Sequence, residues 1–286
     1  MDARGTGLLA ATRTPTGREC RFPPTSTLPS FLTELPSNTG KTLVMYNYYE
    51  SMKAKQNLRF FLDHGVHERS DTDFLLVSQS HVCMDLPSQR NFGVIFRNNT
   101  CFDLGAHKEV VTRYNLDSKY QKFILLNGSV RGPFMPNWST DCWTDAFTRR
   151  LNDTVKLVGP TFNCRDSLDQ HKPHLQSMIL ATDRIGLRIL LGNFRCFERK
   201  IDAIAEAELT NYPSIVGAGF DVHVFMDQFQ LDRTDVSHCD HGVPRKVHPF
   251  EVIFIKTSPT IVPEIVEEAT AFVDASNYDS RTHCKG

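Results

Sequence analysis

Lys122-Phe123-Ile124-Leu125-Leu126-Asn127-Gly128-Ser129-Val130-Arg131-Gly132-Pro133 is the stretch on which the fold turns. Phe123 to Leu126 is an unbroken apolar run, too short for a helix and suited to a strand buried on both faces. It stops at Asn127, where an amide, two glycines, a serine and an arginine lead into a proline. A core strand therefore leaves the interior here and opens into a polar loop. Upstream, Thr42-Leu43-Val44-Met45-Tyr46, Phe74-Leu75-Leu76-Val77 and Phe92-Gly93-Val94-Ile95-Phe96 have the same character. Between them, Ser51 to Gly65 predicts a helix with Met52, Leu58, Phe61 and Leu62 on its apolar face and Gly65 as its stop. Leu104 to Tyr114 predicts another. Strands alternating with helices indicate an α/β domain around a mostly parallel sheet.

The pattern continues beyond residue 140. Trp143 to Leu151 reads as a short helix, Val155 to Gly159 as a strand, His174 to Leu191 as a long helix and Ile201 to Leu209 as another. Phe220 to Phe225 and Pro249 to Lys256 read as strands, and Thr260 to Phe272 as a closing helix. Residues 1–40 are rich in Thr, Pro, Ser, Gly and Arg and predict an extended or disordered arm before one domain over 41–286. The arm could drape over a partner subunit, so a homodimer is an expectation.

The 286 residues carry 32 Lys and Arg against 33 Asp and Glu, which argues against a nucleic-acid binder. No apolar run approaches the ~20 residues of a membrane span. The eight cysteines, Cys20, Cys83, Cys101, Cys142, Cys164, Cys196, Cys239 and Cys284, form no C-x-x-C pair. They read as buried small hydrophobes of a soluble, cytoplasmic protein. Gly7 to Ala11 is too short for a signal-peptide core. On that reading the N-x-S/T sequons at Asn98, Asn127, Asn137 and Asn152 are chance matches.

In parallel sheets ligands bind outside the carboxyl ends of the strands. Three such ends are polar here. Tyr46, Asn47 and Tyr48 follow the first strand, Arg97 to Asp103 the third, and Asn127, Ser129 and Arg131 the fourth. Aromatics offer a stacking face for a base, and Asn, Asp and Ser offer hydrogen bonds to hydroxyls. Arg131 offers a bidentate fork for phosphate. Together they suit a nucleotide-linked ligand. Asn and Gly also simply terminate strands; the convergence of three ends favours the functional reading.

Several segments resemble a group of glycosyltransferase-like proteins of algae, fungi and large algal viruses, chlorovirus capsid-glycan transferases among them. They are Tyr48-Tyr49-Glu50-Ser51, Asn99 to Gly105, Phe123 to Phe134, Val155 to Thr161, His174 to Met178, Ala181 to Leu187 and His248 to Lys256. The resemblance covers about residues 42–257 in the same order, and Leu126 to Pro133 is its most specific part. It implies a GT-A-like fold and transfer of a sugar to a glycan acceptor, with xylose from UDP-xylose as the leading expectation. Where such enzymes end the fourth strand with Asp-x-Asp for Mn²⁺ or Mg²⁺, this chain has Asn127-Gly128-Ser129. Neither Asn nor Ser brings the charge a hard cation wants. Metal-independent transfer with no required cofactor is therefore expected, with Arg131, Lys256 or backbone N–H groups facing the leaving group. Asp71-Thr72-Asp73 precedes a strand and reads as a turn and cap.

An inverting transferase needs a carboxylate to take the acceptor proton. The resemblance places an acidic residue near Glu206-Ala207-Glu208-Leu209-Thr210, so Glu208 leads, with Glu206 and Asp183 behind it; a solvated helix face is the plainer reading. Asp103 suits the donor or a helix cap. Trp138, Trp143, His174 and Gln176 are acceptor-side candidates, although both tryptophans fit a core equally well. His238-Cys239-Asp240-His241 is too contiguous to surround zinc and reads as a loop. A binding protein of the same fold without activity is the alternative. An oxidoreductase lacks G-x-G-x-x-G after the first strand, and a serine hydrolase lacks G-x-S-x-G.

Overall fold

A computed structural model describes residues 29–34, 39–165, 171–227, 247–257, 263–276 and 278–284. In chain order the elements are α1 (Ser30–Glu34), β1 (Thr42–Tyr48), α2 (Met52–His64), β2 (Thr72–Ser78), β3 (Phe92–Phe96), α3 (Phe102–Arg113), α4 (Leu116–Lys119), β4 (Lys122–Asn127), β5 (Val130–Arg131) and α5 (Trp143–Thr148). Then follow β6 (Val155–Gly159), β7 (Phe162–Arg165), β8 (His171–Leu175), β9 (Ile179–Asp183), α6 (Arg184–Asn193) and α7 (Lys200–Ala203). A π-helical turn (Ile204–Glu208) joins α7 to α8 (Leu209–Gly217), and β10 (Asp221–Val224), α9 (Pro249–Val252), β11 (Ile255–Lys256), α10 (Pro263–Asp274) and α11 (Ser280–His283) complete the chain.

Seven strands form one sheet in the order β10-β6-β9-β4-β1-β2-β3. Four of them, β4, β1, β2 and β3, are mutually parallel, and β10 is parallel to β6. β9 alone runs antiparallel, between β4 and β6. The apolar runs of β1, β2 and β4 are buried on both faces, as a sheet covered by helices requires. On one face Tyr46 and Phe74 meet Phe61 of α2, which in turn meets Trp143 of α5 edge-on. Ser51 caps α2, its hydroxyl accepting from Ala54 N. Gly93 in β3 leaves room for Pro29, which an added Cβ would meet at 2.2 Å. The described part of the N-terminal arm is therefore helical and packed, with Phe31 and Leu32 buried. Residues 1–28 lie outside the described residues.

Three segments differ from the sequence reading. The helix expected over His174–Leu191 is instead β8, β9 and then α6. Ile179 to Asp183 sits in the middle of the sheet, and this burial between β4 and β6 overrides helix propensity. Asp183 then caps α6 by accepting from Gly186 N. The strand expected over Pro249–Lys256 begins as α9. His248 and Glu251 form a capping box and Pro249 starts the helix, leaving only Ile255–Lys256 extended. The helix expected over Ile201–Leu209 runs on to Gly217 through the π turn.

The cysteine reading is corrected as well. None of the described cysteines is free. Cys101 is bonded to Cys196 and Cys142 to Cys284, across 95 and 142 residues of sequence. Pairs this distant leave no local spacing signal. Paired cysteines persist in oxidising surroundings, so the expected reducing compartment finds no support. No helix among the described residues is long and apolar enough to cross a membrane. His238-Cys239-Asp240-His241 lies outside the described residues.

Candidate functional site

The polar ends of β1 and β4 meet at one edge of the sheet. Because β9 runs against β4, its start lies at the same edge, and Asn127 N donates to Met178 O at 3.1 Å. An open cleft of about 710 Å³ lies there, within the size range of small-molecule sites.

Its floor is a hydrogen-bonded network. Asn47, almost fully buried, donates through Nδ2 to Asp103 O at 3.1 Å and accepts at Oδ1 from Gln79 Nε2. Asn127 Nδ2 donates to Asp103 Oδ2, while Asn127 Oδ1 accepts from Ser129 N and Oγ. Asp103 Oδ1 accepts from Leu104 N at 3.1 Å. Asp103 thus joins the first turn of α3 to the end of β4, and the helix dipole favours its charge there. Four residues along α3, His107 is buried and its Nε2 donates to Leu126 O. Burial holds this imidazole neutral, its pKa lowered to about 4 against the raising influence of Asp103.

The second wall is cationic. β5 pairs with β11, bringing Lys256 opposite Val130, and Thr257 N donates to Ser129 O at 2.8 Å. Lys53, in the first turn of α2, donates to Thr257 O at 3.3 Å. The Lys256 and Lys200 side chains line the cleft, and their ammonium groups form no hydrogen bond or ion pair among the described residues. Arg195 also lines it and pairs with Glu206 at 3.1 Å.

The third wall is the π turn. Glu208 is its last residue and lines the cleft, with Ser177 N directed at Oε1 from 3.4 Å. A π turn inserts a residue into the helical register and is frequent at functional sites. Asp103 and Glu208 are the carboxylates of the described lining. Both oxygens of Asp103 already accept N–H bonds, whereas Glu208 Oε2 has no partner among the described residues. Tyr49, about half exposed, with Phe102 and Phe197, supplies aromatic surface.

The structure brings Asn47, Asp103, Asn127, Ser129, Lys256 and Glu208 together in this cleft. Other candidates lie elsewhere. Tyr46 is buried in the core, and Tyr48 is buried with its hydroxyl donating to Glu50. The Arg97 guanidinium pairs with Glu109 and donates to Thr100 O. Arg131 is buried, held by Asn57, Glu267 and Thr270, because the next turn of the chain carries it under α2 and α10. Asp183 pairs with Lys122 in register, at the opposite end of β4 from Asn127, and bridges to Lys156 at 2.7 Å. Trp143 is core, its Nε1 donating to Gly65 O, and Trp138 is 83% exposed away from the cleft. His174 is buried on β8 and bonds to Lys172 O, while Gln176 accepts from Thr161 Oγ1. Glu206 faces Arg195 rather than the cleft. Asp71 pairs with Arg69, and Asp73 accepts from Tyr120 and Lys41 at the far edge of the sheet.

Among the described residues, the donor set at the end of β4 does not fit a resident Mn²⁺ or Mg²⁺. Such ions take several oxygens, usually carboxylates. At the end of β4, Asn127 Oδ1 is turned onto Ser129, and Asp103 is committed to two N–H donors. The facing wall supplies lysines instead.

Lys53, Arg195, Phe197 and Lys200 were not foreseen in the sequence. Lys53 carries a readable signal, a cation in the first turn of the helix after β1. Arg195 and Phe197 flank Cys196, and only its pairing to Cys101 shows that they reach the cleft.

No protein-family model matches the chain. No curated protein matches it either. Among solved structures, it is similar to a mannosyltransferase from Pyrobaculum calidifontis in complex with GDP-Man and Mn²⁺, at 11% identity and TM-score 0.40, over 68% of this chain and 59% of that one. It is similar to a Streptococcus pneumoniae glycosyltransferase at 13% identity and TM-score 0.40, over 82% of this chain and 61% of that one. It is also similar to a glycosyltransferase involved in glycosylation of the major capsid of PBCV-1, at 12% identity and TM-score 0.39, over 81% of this chain and 100% of that one.

Proposed function

We propose that the chain is a glycosyltransferase that moves a sugar from a nucleoside-diphosphate donor to a glycan acceptor by a single displacement, without a divalent metal. The observation that carries this reading is the cleft's division into an Asp103–Asn127–Asn47 floor, a lysine wall and one carboxylate, Glu208, on the π turn.

In this reading the nucleoside lies against the aromatic surface near Tyr49, and donor hydroxyls exchange hydrogen bonds with Asp103 and Ser129. Lys256 and Lys53 face the diphosphate and offset the charge that develops as it leaves. Glu208 takes the proton of the acceptor hydroxyl. The acceptor oxygen forms its bond to the anomeric carbon while the bond from that carbon to the phosphate oxygen breaks. A nucleoside diphosphate departs and the anomeric configuration inverts. The sequence resemblance points to UDP-xylose and to capsid-glycan synthesis as the finer assignment.

The test is a thermal-shift screen with UDP, GDP, CMP and their sugars, in EDTA and with Mn²⁺. A ligand at about a hundred times its Kd adds roughly 2.7 kcal/mol of stability, a readable shift in Tm. The expected result is a UDP-sugar shift that survives EDTA, followed by turnover in EDTA. Glu208→Gln is expected to keep the shift and lose about 10²-fold or more in kcat, the usual worth of a general base. Absence of any nucleotide shift in both conditions overturns the reading. A shift without turnover reassigns the chain to nucleotide-sugar binding.

A further inference from the structure

Two consecutive non-glycine residues of the cleft wall hold left-handed backbone, Cys101 at φ 68° and Phe102 at φ 48°. Both line the cleft and both directly precede Asp103. Sparsely populated backbone of this kind persists only where the surroundings over-determine it. Asp103 O accepts from Asn47, and the Asp103 carboxylate is held by Asn127 on the side of the sheet. On the other side, Cys101 Sγ is bonded to Cys196 Sγ.

The segment carrying Cys196 is laid directly on the start of α3. A Cβ on Gly105 would meet Arg195 O at 2.6 Å, so only glycine admits this approach. One turn along, Lys108 Nζ donates to Leu191 O at 2.8 Å. Arg195 and Phe197, the neighbours of Cys196, both line the cleft. A single covalent bond therefore joins the wall that carries Phe102 and Asp103 to the wall that carries Arg195 and Phe197. The Cys101–Cys196 and Cys142–Cys284 bonds also differ in access. Cys142 and Cys284 are buried, whereas Cys196 is exposed. A soluble reductant reaches the cleft bond first.

We propose that Cys101 and Cys196 are positioning residues of the donor site, their disulfide holding the two walls at the separation that a nucleotide needs. This inference rests on the donor-site reading above. A dithiol passes two electrons and two protons to the two sulfurs and leaves as its own cyclic disulfide. The two walls then part, and the Cys101–Phe102 turn relaxes.

The experiment titrates UDP into the full oxidised chain by calorimetry and repeats the titration after brief dithiol treatment. Peptide mapping confirms that Cys101–Cys196 is open while Cys142–Cys284 and the bonds of Cys83 and Cys164 are intact. The double variant Cys101→Ser, Cys196→Ser serves as a second route to the same state. The expected result is at least tenfold weaker UDP binding in both, with far-ultraviolet circular dichroism unchanged. In turnover assays the donor KM rises while the acceptor KM stays. Hydrogen exchange should quicken at residues 101–105 and 195–200 together. Equal UDP affinity in the oxidised and opened chains overturns this inference and leaves the donor reading standing. Failure of the oxidised chain to bind any nucleotide overturns both.

Discussion

Arg131 sits two residues beyond the cleft and belongs to the core. Its Nε donates to Asn57 Oδ1 and its Nη1 to Glu267 and Thr270. Asn57 is fully buried and also donates to Gly128 O and Thr257 Oγ1. The arginine therefore supports the Gly128–Ser129 turn from beneath, while Lys256 faces the cleft above it. Arg131→Ala leaves the buried Asn57 oxygen unpaired, which costs about 2 kcal/mol. Urea unfolding should show that loss as a lower midpoint, and UDP affinity of the folded variant should remain within about twofold. A large selective loss of UDP affinity at unchanged stability would return Arg131 to the donor site.

At the scale of elements, the turn before β2 and the helix α3 each bury a histidine. His67 sits under Cys142 and Thr144, and burial, aided by Arg69, lowers its pKa to about 4. His107 of α3 is lowered to about 4, again chiefly by burial. In the unfolded chain both recover the ordinary value near 6.5. Between about pH 6.5 and 4 the unfolded state therefore binds more protons than the folded one. Stability is full above about 6.5 and is lost as pH falls towards 4. The Tm should drop across this window. His107→Gln keeps an N–H for Leu126 O and does not titrate, so it should flatten the drop; an unchanged slope would remove His107 as a source.

For the whole molecule, the disulfides are the main departure from a protein of reducing surroundings. Cys142–Cys284 ties the start of α5 to the end of α11, so the last described helix is fastened to the core. Denatured without reductant, the chain should expose no maleimide-reactive thiol at Cys83, Cys101, Cys142, Cys164, Cys196 or Cys284. In oxidising surroundings the sequons also become readable, because Asn98, Asn137 and Asn152 are exposed. Asn127 should stay unmodified, since its amide nitrogen donates to Asp103 inside the cleft. Peptide mapping of the chain from the cells that make it reads both. Six free thiols there would sink the expectation.

Much of the architecture was legible in local pattern. β1, β2, β4 and β6 are short, mostly apolar runs that are buried as their composition predicts, and β3 is half-buried. The polar segments after β1, β3 and β4 line the cleft, because a parallel sheet presents its carboxyl ends together. Elements that depend on distant partners were not legible. Ile179 to Asp183 is a strand because β4 and β6 flank it, although its apolar spacing suits a helix equally. The capping box at His248–Glu251 was present in the sequence and outweighs the apolar run that follows it.

Within the site the division is the same. Residue types and strand ends determined that Asn47, Asp103, Asn127 and Ser129 would gather at one edge. Tertiary structure decided which cations face them. Arg131 lies opposite Ile255 and Lys256 opposite Val130 in the β5–β11 pairing, and the side chains of the two cations go to different environments. It also decided that Cys101 meets Cys196, 95 residues away. The physical reason is range. Periodicity and capping act over one or two turns of chain, whereas pairing of cysteines and burial of an arginine depend on contacts that exist only after the sheet has closed.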